Sequence, residues 1–598
     1  MRFRNLALAR LALCLATLSI PLTAPAAELR LNLSTDEDLA ETLRAASLLA
    51  QAVDEGTQVR RDLVAAAQAD YSRLLAVLFE AGHFGPAISI TLDGVEAAAL
   101  PTIGTTGSVG TASISVQPGP VFLFGTATVG PLPDGIRPPE GFASGAQAGT
   151  DILRQATAEG IDAWRGRGHA KAALADQQIT ARHDVDRLDA RLTLAPGPRL
   201  TYGPLTIAGN EAVKTRQISR IADLRPGHVF DPEEVRQSAR RLQRTGAFRS
   251  VSIVEAEEIA PGQTLPMEVQ IVERLPRRIG FGAELGTTEG LGLSAFWLHR
   301  NLTGYADSFR VEGEVEGIGG DSGGEDYRLG LSYNRPATFN PETDLFITGE
   351  IESLDQPEFS SDRAELVVGA RRIVSDEFQY SYGLSFEKSR ITDAFGTRNF
   401  EIVSLPLEAQ YDRRNDPLNP SDGYYVEAGL SPFHGFETAG SGLRFTADLR
   451  GYQGFGAEDR TVLAARLQLG SVVGPDLADT PATDLFYSGG GGTVRGQPFQ
   501  SLGVTLPNGR EVGGRSFVGL STEIRQQVTD SIGIVGFVDA GRVSSESGFS
   551  DGETHVGAGL GVRYQTGIGP IRVDLGLPVS GPGTNSGVEV YIGIGQSF

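Results

Sequence analysis

From Arg278 onward the chain alternates apolar and small or polar residues with a period of two, and this pattern constrains the fold more than any other feature. Successive side chains of a strand point to opposite faces, so such a run is an amphipathic strand. Strands are expected near 278–285, 291–298, 307–315, 326–334, 344–351, 363–370, 379–387, 400–411, 424–431, 442–452, 461–469, 515–526, 531–540, 554–564, 570–578 and 587–598, sixteen in all. Their lengths approach the ~9–11 residues with which a tilted strand crosses a hydrocarbon core. Ile279, Phe281, Ala283 and Leu285 lie on the apolar face, as do Val462, Ala464, Ile571, Val573, Leu575, Leu577, Val588, Val590, Ile592 and Ile594. A soluble sandwich alternates in the same way, with its polar face in water instead of lining a lumen. Three features favour a membrane barrel. The strands number about sixteen over residues 278–598, about twenty residues per strand and connection. The connections differ in kind, with glycine and acid at 316–325 but the Pro-rich turn Asp416-Pro417-Leu418-Asn419-Pro420 at 412–423. The last strand ends on an aromatic, Phe598. Beyond the first residues no run reaches the roughly eighteen apolar residues of a spanning helix, so a membrane-embedded chain would have to be a closed barrel.

An even count puts both ends of the barrel on one side, and connection 470–514 then lies on the other. It contains Gly489-Gly490-Gly491-Gly492-Thr493-Val494-Arg495-Gly496-Gln497-Pro498-Phe499. Glycine lets backbone pass where side chains leave no room. Arginine keeps its charge and offers five fixed donors. Such a loop could fold inward and hold Arg495 on a carboxylate of the wall. From these residues alone, a solvated surface loop is the alternative.

The first half is built differently. Residues 1–27 have the form of a secretory signal: Arg2, Arg4 and Arg10, the apolar run Leu11–Ile20, then Ala24-Pro25-Ala26-Ala27. Cys14, inside that run, is the only cysteine, so the mature chain is expected to lack disulfides, thiolate metal ligands and a cysteine nucleophile. After it a unit recurs about every eighty residues, the mark of a tandem array. Gly119-Pro120-Val121-Phe122 is echoed by Gly197-Pro198-Arg199-Leu200, and helices end at Gly82-His83-Phe84, Gly168-His169-Ala170 and Gly246-Ala247-Phe248. Each unit reads as strand, two helices, two strands. An exposed sheet edge on such a unit can accept an extended chain. The formal net charge of −22 opposes nucleic-acid binding. The string Gly548-Phe549-Ser550-Asp551-Gly552 matches a hydrolase elbow, but strand follows it where the elbow needs a helix. The seven histidines show no metal-ligand spacing. No catalytic residue, metal site or cofactor is expected.

The pattern Gly209, Gly227, Gly246-x-Phe248 resembles a POTRA domain of the BamA/TamA superfamily. Val494-Arg495-Gly496 is similar to the superfamily's VRG(F/Y) loop element, and Phe537-Val538-Asp539-Ala540-Gly541 to the lumen-facing strand motif that receives the arginine. Asn301-Leu302-Thr303-Gly304 and Asp416-Pro417-Leu418 match its periplasmic turns, and Tyr591-Ile592-Gly593-Ile594-Gly595 resembles the ending of the TamA branch. Gln497 stands where the family has an aromatic. The resemblance implies an all-β transmembrane barrel of sixteen antiparallel strands preceded by three periplasmic α+β POTRA domains. The expected boundaries are signal 1–27, POTRA-like units 28–117, 118–196 and 197–275, and barrel 276–598. It implies a non-enzymatic outer-membrane component of a translocation and assembly module. A TamB-like protein anchored in the inner membrane would be its partner, and autotransporters would be among its clients. A loop lock would comprise Val494, Arg495, Gly496, Phe537, Asp539 and Gly541. A lateral seam between the first and last strands would involve Ile279, Phe281, Gly593, Gly595 and Phe598. A two-partner secretion transporter and a passive outer-membrane channel are the alternatives.

Overall fold

The computed structural model describes residues 27–598 except 58, 102–105, 287–288, 322, 438, 568 and 582–586, so the expected signal, save Ala27, lies outside the described residues. The chain forms two compact units. One runs to Thr201 and includes Val229–Pro232; the other comprises Tyr202–His228 and Glu233–Phe598.

The first compact unit holds two small sheets. In one, strands Glu28–Leu33, Thr111–Gln117, Ala87–Leu92 and Val95–Glu96 lie in that order, covered by helices Glu37–Ala46, Leu48–Asp54 and Arg60–Glu80. Leu43, Leu49, Leu63 and Leu74 bury the helices against Ile90 and Ile114. Asp36 caps the first helix by accepting from the Leu39 amide at 2.9 Å. In the other sheet, Leu123–Gly130, Arg187–Ala195 and Ala173–Arg182 lie in that order under a single helix, Thr150–Arg165. Two helices were expected here. The segment before Thr150 carries Pro131, Pro133, Pro138 and Pro139, which lack the N–H a helix needs and clash with the preceding turn.

The glycine-histidine echo has a geometric cause. Gly82 (φ 88°) and Gly168 (φ 95°) end helical segments in the left-handed region. The Nδ1 of the next residue then hydrogen-bonds a glycine carbonyl, His83 to Gly119 at 3.0 Å and His169 to Gly197 at 2.8 Å. Each histidine thus ties a helix end to the glycine just past a later strand of the same compact unit.

In the second compact unit a sheet in the order Thr201–Ala208, Thr264–Glu273, Phe248–Glu255 packs against helices Thr215–Ala222 and Pro232–Arg244. These helices seat on turns at one end of the barrel. Ala306 and Ala337 are buried among Ile218, Ile221 and Leu242. Gln217 donates to the Pro336 carbonyl at 3.0 Å, and Arg241 pairs with Glu342 at 3.0 Å.

The remainder is a closed antiparallel barrel of sixteen strands among the described residues, from Arg277–Gly286 to Glu589–Ile594. The eighth, expected as one run, is split into Gly396–Ser404 and Leu407–Asp412, because Pro406 cannot donate to the ladder. Leu329, Leu331, Ile351, Leu366, Leu384, Phe386, Leu560 and Leu575 stand exposed on the outer face. Such a continuous apolar belt is incompatible with water and suited to lipid.

Two expectations fail in the barrel. Val462 and Ala464 face inward, against Tyr452 and Phe598, and Leu463 takes the outer face. On that parity strand Thr461–Val473 also carries Gln468 and Arg466, which pairs with Asp448, so Val462 and Ala464 share the polar, inward face. The last strand also stops at Ile594 and does not run to Phe598. Gly595 turns the chain in the left-handed region (φ 93°), and Phe598 folds into the lumen under Arg525.

Candidate functional site

The long connection joins strand Thr461–Val473 to strand Ser516–Gln527. Its outer part roofs one end of the barrel. Ala482 is buried with Phe359, Ile391 and Phe400, and Arg510 donates to the Ala394 and Asp393 carbonyls at 3.1 Å each. Its middle part descends into the lumen. Glycine is required on both sides of that contact. A Cβ on Gly496 (φ 88°) would lie 2.6 Å from the Leu577 backbone; one on Gly557 would lie 1.9 Å from the Arg495 carbonyl oxygen. One on Gly576 would lie 2.6 Å from the Gly496 nitrogen. The loop meets the wall backbone to backbone.

Arg495 is 2% exposed. Its Nε donates to Asp539 Oδ2 at 2.7 Å and its Nη2 to Oδ1 at 3.0 Å, a two-pronged pairing that fixes the guanidinium plane. Nη1 reaches Glu523 Oε1 at 2.6 Å and Asp574 Oδ2 at 3.2 Å. The guanidinium carbon sits 3.7 Å from the centre of the Phe537 ring, adding a cation–π contact. Two further arginines complete the charge balance. Arg525 Nε donates to Glu523 Oε2 at 2.7 Å, and Arg563 Nη2 donates to Asp574 Oδ2 at 3.2 Å. Three cations therefore face three carboxylates, all buried. A buried charge is tolerable only with its partners in place, and losing one partner of such a pair costs about 3–5 kcal/mol.

Val494, Arg495, Gly496, Phe537, Asp539 and Gly541 come together at this one place. Val494 is fully buried against Gly541, where a side chain would collide with it. The Gly496 amide donates to the Tyr591 hydroxyl at 3.1 Å. Glu523, Arg525, Arg563 and Asp574 were not anticipated. Each is a charge at an inward position of an amphipathic strand, which parity counting places in the lumen without naming its partner. Gln497, noted only as a departure, is also fully buried. Its amide donates to the Val556 carbonyl at 2.8 Å and the Ser580 carbonyl at 2.9 Å. The ladder slips here between Val556 and Gly557, opposite Pro578, which has no N–H. Gln497 thus supplies donors to carbonyls at the slip.

The seam residues do not gather in this way. Among the described residues the first and last strands share the pairs Leu285 with Ile592 and Gly286 with Tyr591, whereas the first strand pairs with the second along its whole length. Ile279 and Phe281 lie beyond those two pairs, partnered only by Trp297 and Ala295 of the second strand, with their side chains on the outer face. Gly593 is on the last strand, opposite Arg572. Gly595 and Phe598 lie past its end, which removes them from the seam.

Among the described residues no group of three His, Cys, Asp or Glu side chains is set to hold a metal. Ser488 and His555 share a 2.7 Å hydrogen bond but are both buried, and the His555 Nδ1 lacks the orienting partner of a hydrolytic triad.

Comparison with known proteins is consistent with this architecture. Residues 301–598 match the family described as Omp85 superfamily domain, and residues 200–274 match the POTRA family, surface antigen variable number repeat. The chain is 22% identical over 429 residues to outer membrane protein assembly factor BamA of Neorickettsia risticii, covering 65% of this chain and 54% of that protein. It is 20% identical over 413 residues to BamA of Nitratidesulfovibrio vulgaris, covering 66% and 50%. The chain thus spans about half the length of the curated relatives it matches. The crystal structure of BamA from Haemophilus ducreyi lacking POTRA domains 1-3 is similar in fold, with TM-score 0.60 at 16% identity over 76% of this chain and 95% of that one. CdiB from Acinetobacter baumannii has TM-score 0.51 at 13% identity, over 79% and 90%.

Proposed function

Because this chain is an outer-membrane β-barrel of the Omp85 superfamily with POTRA structure in the periplasm, we propose that it assembles or translocates client proteins, admitting their strands at the seam. The observation that carries this reading is that, among the described residues, the seam ladder ends at the pair Leu285 with Ile592, well inside the first strand. Beyond that pair, residues 277–284 of the first strand have no ladder partner on the seam side among the described residues. Unpaired strand edges template incoming strands. The periplasmic units would deliver the client, and the loop lock would keep the wall that leads up to the last strand rigid while the seam parts. The work is non-enzymatic and needs no cofactor.

We place the chain nearest the TamA branch, with a TamB-like inner-membrane-anchored partner and autotransporters among its clients. Support comes from three small α+β units ahead of the barrel and from the Tyr591–Gly595 ending. A passive channel fits poorly with a roofed lumen holding a pinned loop. A two-partner secretion transporter would serve one dedicated client, and co-purification from cells would identify it as such.

Leu285 and Ile592 are opposed across the seam, and Cys14 is the only native cysteine. In liposomes, Leu285→Cys with Ile592→Cys, once oxidised, should reduce insertion of a denatured β-barrel client to the rate of empty liposomes. Reductant should restore it. Insertion at full rate with the disulfide formed overturns the seam reading.

A further inference from the structure

One contact crosses the seam without belonging to its ladder. Leu285 pairs with Ile592 in antiparallel register, so the next position sets Glu284 opposite Gly593. On its other side Gly593 is paired with Arg572 of strand Ile571–Ser580. Arg572, Gly593 and Glu284 therefore lie on one line across three strands, on the inward parity. Arg572 Nη2 reaches over the last strand to Glu284 Oε1 at 2.7 Å. A Cβ on Gly593 would stand 3.1 Å from Arg572 Nε, 3.2 Å from Glu284 Oε1 and 3.4 Å from Arg572 Nη2. Any larger side chain there would occupy the path of the ion pair. Arg572 is further steadied by Nη1, which donates to the Gln596 carbonyl at 3.4 Å.

We propose that Arg572 and Glu284 form a clasp that holds the seam shut across the last strand, and that position 593 is glycine so that the clasp can pass. The proposal rests on the seam reading above and supplies its latch. Glycine at 593 weakens the ladder, as expected from sequence, but it also admits the contact that replaces the ladder. The clasp differs in strength from the loop lock. The Glu284 side chain is 65% exposed and that of Arg572 13%, so water and salt compete for the pair. It can release without unfolding the wall, which a gate requires.

The full chain, spin-labelled at Ala283→Cys and Ile594→Cys on the outer face, reports the seam as a distance. Arg572→Gln and Gly593→Val should each raise the long-distance population about two- to fivefold, the range of an exposed ion pair. Gly593→Val retains both charges and tests the path alone. Arg572→Glu combined with Glu284→Arg should return the distribution to that of the labelled parent. Raising salt from about 0.05 M to about 0.5 M should open the labelled parent to a similar extent, which decides the matter if a variant does not fold. A long-distance population indifferent to residues 572 and 593 and to salt overturns the clasp and leaves the gate. A seam that never opens in any variant or salt overturns the gate itself, and the clasp with it.

Discussion

Two arginines inside the barrel show how the same chemistry serves different ends. Arg495, on the loop, meets Asp539, Glu523 and Asp574 in a neutral, buried six-charge network. Arg363, on strand Ser360–Ile373, meets Glu350 at 3.2 Å, Glu352 at 3.0 Å and Glu387 at 3.0 Å, and also pairs with Glu365. Arg328 also reaches Glu350 and Glu352, so carboxylates outnumber cations in that second cluster, and the Arg363 side chain is 18% exposed beside an open part of the lumen. The strands around Arg363 are already joined by continuous ladders, as Glu350 with Glu365 and Glu365 with Glu387 show. Arg495 instead fastens a segment that no ladder holds. The difference teaches that the weight of an ion pair depends on what else connects its two ends.

The largest expected effect is therefore at Arg495. Arg495→Ala should lower barrel stability by about 3–5 kcal/mol and expose Arg510 to trypsin. Heat-modifiability on gels and limited proteolysis measure both. Exchanging the charges, Arg495→Asp with Asp539→Arg, should rescue little, because an aspartate at 495 would face Glu523 and Asp574. Full rescue would mean that Asp539 alone is the partner. Next comes Gln497→Leu, which removes two donors from buried carbonyls and should cost about 1–3 kcal/mol. The same thermal shift measures it, and a shift as large as that of Arg495→Ala would make the loop tip, not the ion network, the principal anchor. The smallest change is expected for Arg363→Gln, within about 1 kcal/mol, because Arg328 still reaches Glu350 and Glu352, the lumen opens beside the cluster and the ladders remain. An effect equal to that of Arg495→Ala would erase the distinction between the two walls.

The sequence was most informative where one residue type has few uses. A lone arginine in a glycine-rich run and an aspartate in a small-residue strand pointed to each other, and 495 and 539 do meet. Glu523 and Asp574 were invisible as partners because each is an ordinary charge until strands 516–527 and 571–580 are placed beside the loop. Gln497 looked like a loss of the family's aromatic. Its role depends on a slip in the ladder opposite Pro578, which no local pattern reveals. The second repeat lost a helix to its prolines, which were legible but were outweighed by the echo of its neighbours.

By itself the sequence determined where strands begin and end to within a few residues along most of the barrel, that they are amphipathic, and that an arginine lies in the connection most able to enter the lumen. Those are properties of short windows: alternation, turn residues, and the room glycine leaves. Tertiary structure decided the turn of Phe598 into the lumen, the six-charge balance around Arg495, and the passage of Arg572 over Gly593. Each depends on which strand lies next to which and in what register, and a change of one residue in register sends every side chain of a strand to the other face.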